Sequence, residues 1–135
     1  MNAIDAVLDA HPQPAASNGD AARACIAACQ TCATVCTTCA DACLHEKDVA
    51  SLRDCIRLDL DCADICETTA RLLARASHTD AATLRLQVRA CEQACRTCET
   101  ECAKHARHME HCRVCAEACR ACADACRDMA AAIVT

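Results

Sequence analysis

An antiparallel up-down-up-down four-helix bundle, all-α and preceded by a short helical segment, is the fold this 135-residue chain predicts. Three observations carry that expectation. Cysteines, 18 in number, recur at alternating steps of three and four residues, which is the apolar seam of a packed helix and not the two-residue alternation of a strand. After Asp20 the chain contains no Gly or Pro and is rich in Ala, a composition that favours uninterrupted helix. There is no Phe, Tyr or Trp, so the aromatic, turn-rich make-up of a β-sandwich or barrel is missing.

Each element follows from the residues between the cysteine groups. Asn2 to Ala10, with Ile4, Val7 and Leu8 on one side, is long enough for two helical turns. Pro12, Pro14 and the cluster Ser17-Asn18-Gly19-Asp20 separate it from the body, so residues 1–19 read as an N-terminal segment and linker and 20–135 as the bundle. The first bundle helix, expected over 20–45, carries Cys25, Cys29, Cys32, Cys36, Cys39 and Cys43. At about 100° per residue these six stay within an arc of about 80°. The polar stretch Leu44-His45-Glu46-Lys47-Asp48 ends it, with Asp48 the expected N-cap of the next helix.

The second helix, expected over 49–76, has only Cys55, Cys62 and Cys66, with Asp59 inside their stripe as a buried carboxylate. A hydrogen bond to a nearby Thr or backbone group is the simplest role for it; a ligand role is the other. A second apolar stripe, Val49, Leu52, Ile56 and Leu60, is rotated away from the cysteines. Leu52 is expected to pack within the bundle, and Ile56 and Leu60 to face outward at a subunit contact. Ser77-His78-Thr79-Asp80 is the next break, with Thr79 or Asp80 as cap. The third helix, 80–105, bears Cys91, Cys95, Cys98 and Cys102. The fourth, 109–133, bears Cys112, Cys115, Cys119, Cys122 and Cys126.

Composition also limits function. A net charge of −5 and the lack of aromatic rings argue against a nucleic-acid partner, and the charge argues against an anionic membrane. One glycine cannot build a phosphate-binding loop. No run of 18 apolar residues exists to span a membrane. Met1 to Gly19 has neither a basic start nor a signal-length apolar run, so a cytoplasmic chain is expected, where thiols serve metal binding or catalysis more often than structural disulfides. No cysteine stands apart beside a histidine as an activated nucleophile would, so no enzyme is expected.

Eighteen inward thiols are too many for packing alone, since Leu would bury more area per residue. Disulfides between i and i+3 or i+4 would distort a helix; bridges between helices remain an alternative, in a redox or structural protein. A thiolate-only donor set selects soft ions. Zinc wants closed sets of four, and an unbroken stripe does not divide into fours, although a general zinc or cadmium sink stays open. Cu(I) takes two or three thiolates and lets sulfur bridge, so metal and sulfur numbers match at roughly one Cu(I) per Cys. Each Cu(I) also cancels one thiolate charge in a dry core.

Four helices in a chain of this size, Cys at steps of three and four along each, and a His-rich third turn resemble the bacterial copper storage proteins of the cytosolic branch. The resemblance covers Asp20 to Thr135. It implies a bundle that holds many Cu(I) ions inside, assembled as a homotetramer, with all eighteen cysteines named above as copper ligands.

Access for the metal is expected at one end. In an antiparallel bundle the 1–2 and 3–4 links share an end, while Leu72, Leu73, Leu84, Val88, Met129 and Ile133 cap the other with aliphatics. The open end carries His105, His108, Met109 and His111. Counted in sevens from Cys98 and Cys115, His105 and His108 continue the inward stripe; His111 sits on its margin and Met109 on the loop. Imidazole and thioether both bind copper, so these four read as a polar mouth. His45 falls on the outer face.

Overall fold

The computed structural model describes residues 2–13 and 19–134. Pro14, Ser17 and Asn18 of the predicted linker lie outside the described residues. Five α-helices follow in order: α1 (Ala3–Ala10), α2 (Gly19–Leu44), α3 (Arg53–Ala74), α4 (Ala81–Ala103) and α5 (Glu110–Ala132). Among the described residues there is no strand, and no helix is long and apolar enough to cross a membrane. α2 packs on α3 and α5, and α4 packs on the same two. The four long helices thus form a square, with α2 diagonal to α4 and α3 to α5.

The small helix α1 is capped by Asn2, whose Oδ1 accepts from the Asp5 N–H at 2.8 Å. Arg23 of α2 ties it down through Asp5, at 3.1 Å, and Asp9, and Leu8 packs against the core. α2 ends in a tight turn in which the Glu46 N–H donates to the Cys43 carbonyl at 3.2 Å.

The expected helix over 49–76 is divided. Val49–Leu52 is a 3-10 turn, α3 begins at Arg53, and Ala76–His78 is a second 3-10 turn. Asp48 is not a side-chain cap; its carbonyl instead accepts from the Ser51 N–H at 3.2 Å and the Ser51 hydroxyl at 2.9 Å. The tighter 3-10 winding swings Leu52 inward to full burial. At the start of α4 the expected cap holds: Asp80 Oδ2 accepts from the Thr83 N–H at 3.0 Å and its hydroxyl at 2.8 Å.

The core is unusual in content. All eighteen cysteines are at most 2% exposed. Small Ala33, Ala40, Ala63, Ala70, Ala116 and Ala123 are buried beside them, letting the helices approach closely. Large aliphatic side chains gather at the two ends. Leu52 lies at the α2–α3 link, and Leu73, Leu84, Val88, Met129 and Ile133 are buried at the end nearest the chain termini, with Leu72 half-buried there. Arg85 of α4 donates to the Ile133 carbonyl there at 2.5 Å.

Candidate metal centre

Helical period alone brings thiols from one helix to the same face; the square of helices then joins four such faces into one column. Near the termini, Cys25 lies 3.7 Å from Cys126 and Cys29 3.8 Å from Cys91 across the bundle axis. Further along, Cys66 lies 3.8 Å from Cys122 and 3.6 Å from Cys95, and Cys62 lies 3.9 Å from Cys32. Cys36 then meets Cys119 and Cys115, each at 3.6 Å. Cys55 and Cys102 approach to 3.6 Å nearer the end away from the termini.

None of the eighteen is in a disulfide; these sulfurs stand far outside the bonding distance of ~2.05 Å. They do stand where a metal would want them. A metal–sulfur bond of ~2.3 Å places two thiolates of one trigonal or tetrahedral set ~3.8–4.0 Å apart. Sets such as Cys29, Cys66, Cys91 and Cys122, or Cys32, Cys36, Cys62 and Cys119, hold all their sulfurs within 4.8 Å of one another. Cys66 and Cys122 also belong to the set with Cys32 and Cys95, so neighbouring sets share sulfurs and bridging is built into the packing.

Burial controls protonation. Desolvation, with the charges of Cys55 and Asp59 behind it, pushes the Cys43 thiol up to about 12, and burial likewise raises Cys112. Cys43 and Cys112 are therefore neutral thiols in the apo protein, whereas a hydrogen bond from Cys102 lowers Cys55. Among the described residues the buried set includes no Lys, Arg or His, and Asp59 is its one carboxylate. A tube without internal cations favours a metal whose charge matches one thiolate each.

Asp59 departs from its expected role. It is fully buried, yet its partners are not Thr or backbone groups. Cys98, Cys115 and Cys102 donate to its Oδ1 at 3.1, 3.2 and 3.4 Å. Burial, followed by the neighbouring Cys115, raises its carboxyl to about 8. The helical wheel placed Asp59 in the stripe, where Cys55 of the same helix donates to its Oδ2 at 4.0 Å; the approach of α4 and α5 supplies the three shorter contacts to Oδ1.

At the end that joins α2 to α3 and α4 to α5 the ranking of the predicted ligands changes. His111, expected on the margin, is the imidazole that reaches the column: its Nδ1 lies 3.3 Å from Cys39 Sγ and 3.6 Å from Cys112 Sγ. With Cys43 these form a set of three thiols and one imidazole within 4.8 Å. Met109 is half-buried, its Sδ 4.0 Å from Cys112 Sγ. His105 is half-buried, but its Nε2 faces Glu101 Oε2 at 3.2 Å. His108 is exposed, as is His45. The heptad count from Cys98 fails because α4 ends at Ala103, and the count back from Cys115 fails because α5 starts at Glu110; residues between follow turns, not the helical wheel. Glu46, which accepts from His111 Nε2 at 2.8 Å, has no periodic signature and is invisible to that reasoning.

Comparison with known proteins agrees with this geometry. A family model of copper storage proteins matches residues 18–131. The chain is similar to a copper storage protein from Streptomyces lividans loaded with 10 copper equivalents, 46% identical over 95% of this chain and 98% of that one, with a TM-score of 0.91. A second Streptomyces lividans structure, of a cytosolic copper storage protein with five coppers, is 52% identical over 83% of this chain and 93% of that one, TM-score 0.82. The Cu(I)-bound copper storage protein of Bacillus subtilis is 39% identical over 82% of this chain and 98% of its own, TM-score 0.73.

Proposed function

The chain belongs to the copper storage protein family, and from that premise we propose how its thiol column takes up and holds Cu(I). The protein stores copper and is not an enzyme. The observation that carries the reading is the continuous column of buried, unbridged sulfurs at 3.6 to 4.0 Å. All eighteen cysteines act as ligands, from Cys25 and Cys126 at the closed end to Cys43 and Cys112 at the open one. Each incoming Cu(I) displaces one thiol proton, and the resulting cuprous thiolate is neutral. The interior stays free of net charge as it fills, which a divalent ion in a four-thiolate set would not achieve.

Copper passes through the end lined by His111, Met109, His105 and His108. There His111 is the imidazole in contact with thiols, and Met109 adds a soft sulfur beside Cys112. The cap at the opposite end is mostly Leu, Val and Ile, and its one thioether, Met129, has no imidazole beside it that contacts a thiol. We further propose a cytoplasmic location, supported by the Streptomyces relative described as cytosolic, and a homotetramer, supported by exposed Leu60 on α3 beside Ile56, which is half-buried against the core.

The test is an anaerobic titration of reduced protein with Cu(I) against a competing chromophoric chelator. Uptake of roughly 18 ions per chain, one per thiol, is expected, with the far-UV helical signal unchanged because the column is already assembled. Saturation near one metal per four thiols, or a coil spectrum before loading, rejects the reading.

A further inference from the structure

His111 has two ring nitrogens with different tasks. Nδ1 faces the thiols of Cys39 and Cys112 at 3.3 and 3.6 Å, and Nε2 faces Glu46 Oε2 at 2.8 Å. A carboxylate offers acceptors only. The nitrogen against Glu46 is therefore the protonated one, and the lone pair is left on Nδ1, toward the sulfurs. Glu46 is itself placed by the turn that ends α2, where its N–H is bound to the Cys43 carbonyl at 3.2 Å. The residue that holds the imidazole and one of the thiols in the same set are thus fixed by a single turn.

We propose that Glu46 is a positioning residue for copper passage: it locks His111 in the Nε2–H tautomer and holds the ring so that Nδ1 presents its lone pair to the set formed by Cys39, Cys43 and Cys112. The inference rests on the reading of this end as the way in for copper. Outer partners of this kind orient imidazole ligands, and their loss weakens metal capture by roughly 10–100-fold. The neighbouring pair supplies a control. Glu101 accepts from His105 Nε2 at 3.2 Å at the same end of the bundle, but no thiol lies within hydrogen-bonding distance of His105. Removing Glu101 takes away a negative charge without touching a thiol-facing imidazole.

The experiment uses the full, reduced apo chain and follows Cu(I) transfer from its bicinchoninate complex by stopped flow. Glu46→Ala should slow the first equivalents by about 10-fold, while Glu46→Gln, whose amide oxygen still accepts from Nε2–H, should load close to the wild-type rate. Glu101→Ala should do the same. Long-range proton–nitrogen spectra should show His111 as Nε2–H in wild type and Glu46→Gln, and as a mixture or Nδ1–H in Glu46→Ala. Final copper content should be equal across the Glu46 and Glu101 variants. A wild-type rate and an unchanged His111 tautomer in Glu46→Ala, beside slow loading in His111→Ala, overturn the role of Glu46 alone. Equal slowing in Glu46→Gln, Glu46→Ala and Glu101→Ala also overturns it, by showing that charge and not orientation matters. A wild-type rate in His111→Ala removes the mouth itself, and the proposal with it.

Discussion

Asp59 occupies the place in α3 where the spacing 55, 59, 62, 66 would put another thiol, matching the 91, 95, 98, 102 series of α4. Its carboxyl, raised to about 8 by burial and then by Cys115, titrates near 3.8 once unfolded. The folded state thus binds the proton more tightly. Its contribution to stability is fully present below about pH 4 and is lost as pH rises through about 8. Reduced apo protein should lose thermal stability steadily between pH 5 and 8, by an amount on the order of a few kcal/mol. Asp59→Asn, which keeps an oxygen acceptor for the thiols, should flatten that slope, as melting curves across the range would show; an unaltered slope would assign it to other groups. Above pH 9 both proteins should weaken further as raised thiols such as Cys43 compete with their unfolded, more acidic forms. The imidazoles call for a kinetic measurement. His105→Ala with His108→Ala and His111→Ala should slow copper loading or removal while total uptake changes little, because the thiols carry the capacity. Most of that effect should reside in His111, given the exposure of His108. Exchange rates equal to wild type would place the passage elsewhere.

Among the elements, the α2–α3 link shows how one buried side chain overrides a local signal. Asp48 has the chemistry of a cap, but burying Leu52 demands a 3-10 turn first, and α3 starts uncapped at Arg53. Asp80 is a cap as expected because its contacts span three residues and need nothing from elsewhere. Leu52 is fully buried at an end otherwise filled by thiols, so Leu52→Ala should cost about 2–5 kcal/mol of apo stability in denaturant unfolding. Copper-loaded protein should hide much of that loss, since metal bound to the folded state alone stabilises it by mass action. A change below about 0.5 kcal/mol in the apo protein, the range of ordinary surface substitutions, would mean that Leu52 is not an anchor.

For the molecule as a whole, the apo core has little hydrocarbon, and four long helices are held by thiols, Ala and surface pairs such as Arg96 with Asp124 at 2.8 Å. Such ion pairs contribute little individually. Assembly into a tetramer would add apolar burial where α3 is bare: Leu60 is 45% exposed, and it forms a shallow groove with Ile56, Arg53, Arg57 and Asp61. Ile56→Lys together with Leu60→Lys should lower the sedimenting mass of the protein. An unchanged assembly, or a wild-type monomer, would rule this face out as the contact.

The sequence by itself determined the helical frame, the inward stripe, all eighteen buried thiols and the choice of a soft metal. Those features depend on the 3.6-residue period and on donor chemistry, both readable from spacing within one helix. Only the tertiary structure decided which thiols meet, that Asp59 takes its shortest donors from α4 and α5, and that His111, held by Glu46, is the imidazole in contact with the thiols at the end away from the termini. The physical reason is that those contacts join residues 25 to 101 positions apart, across turns where helical periodicity stops and side-chain direction is set by the packing of neighbouring helices.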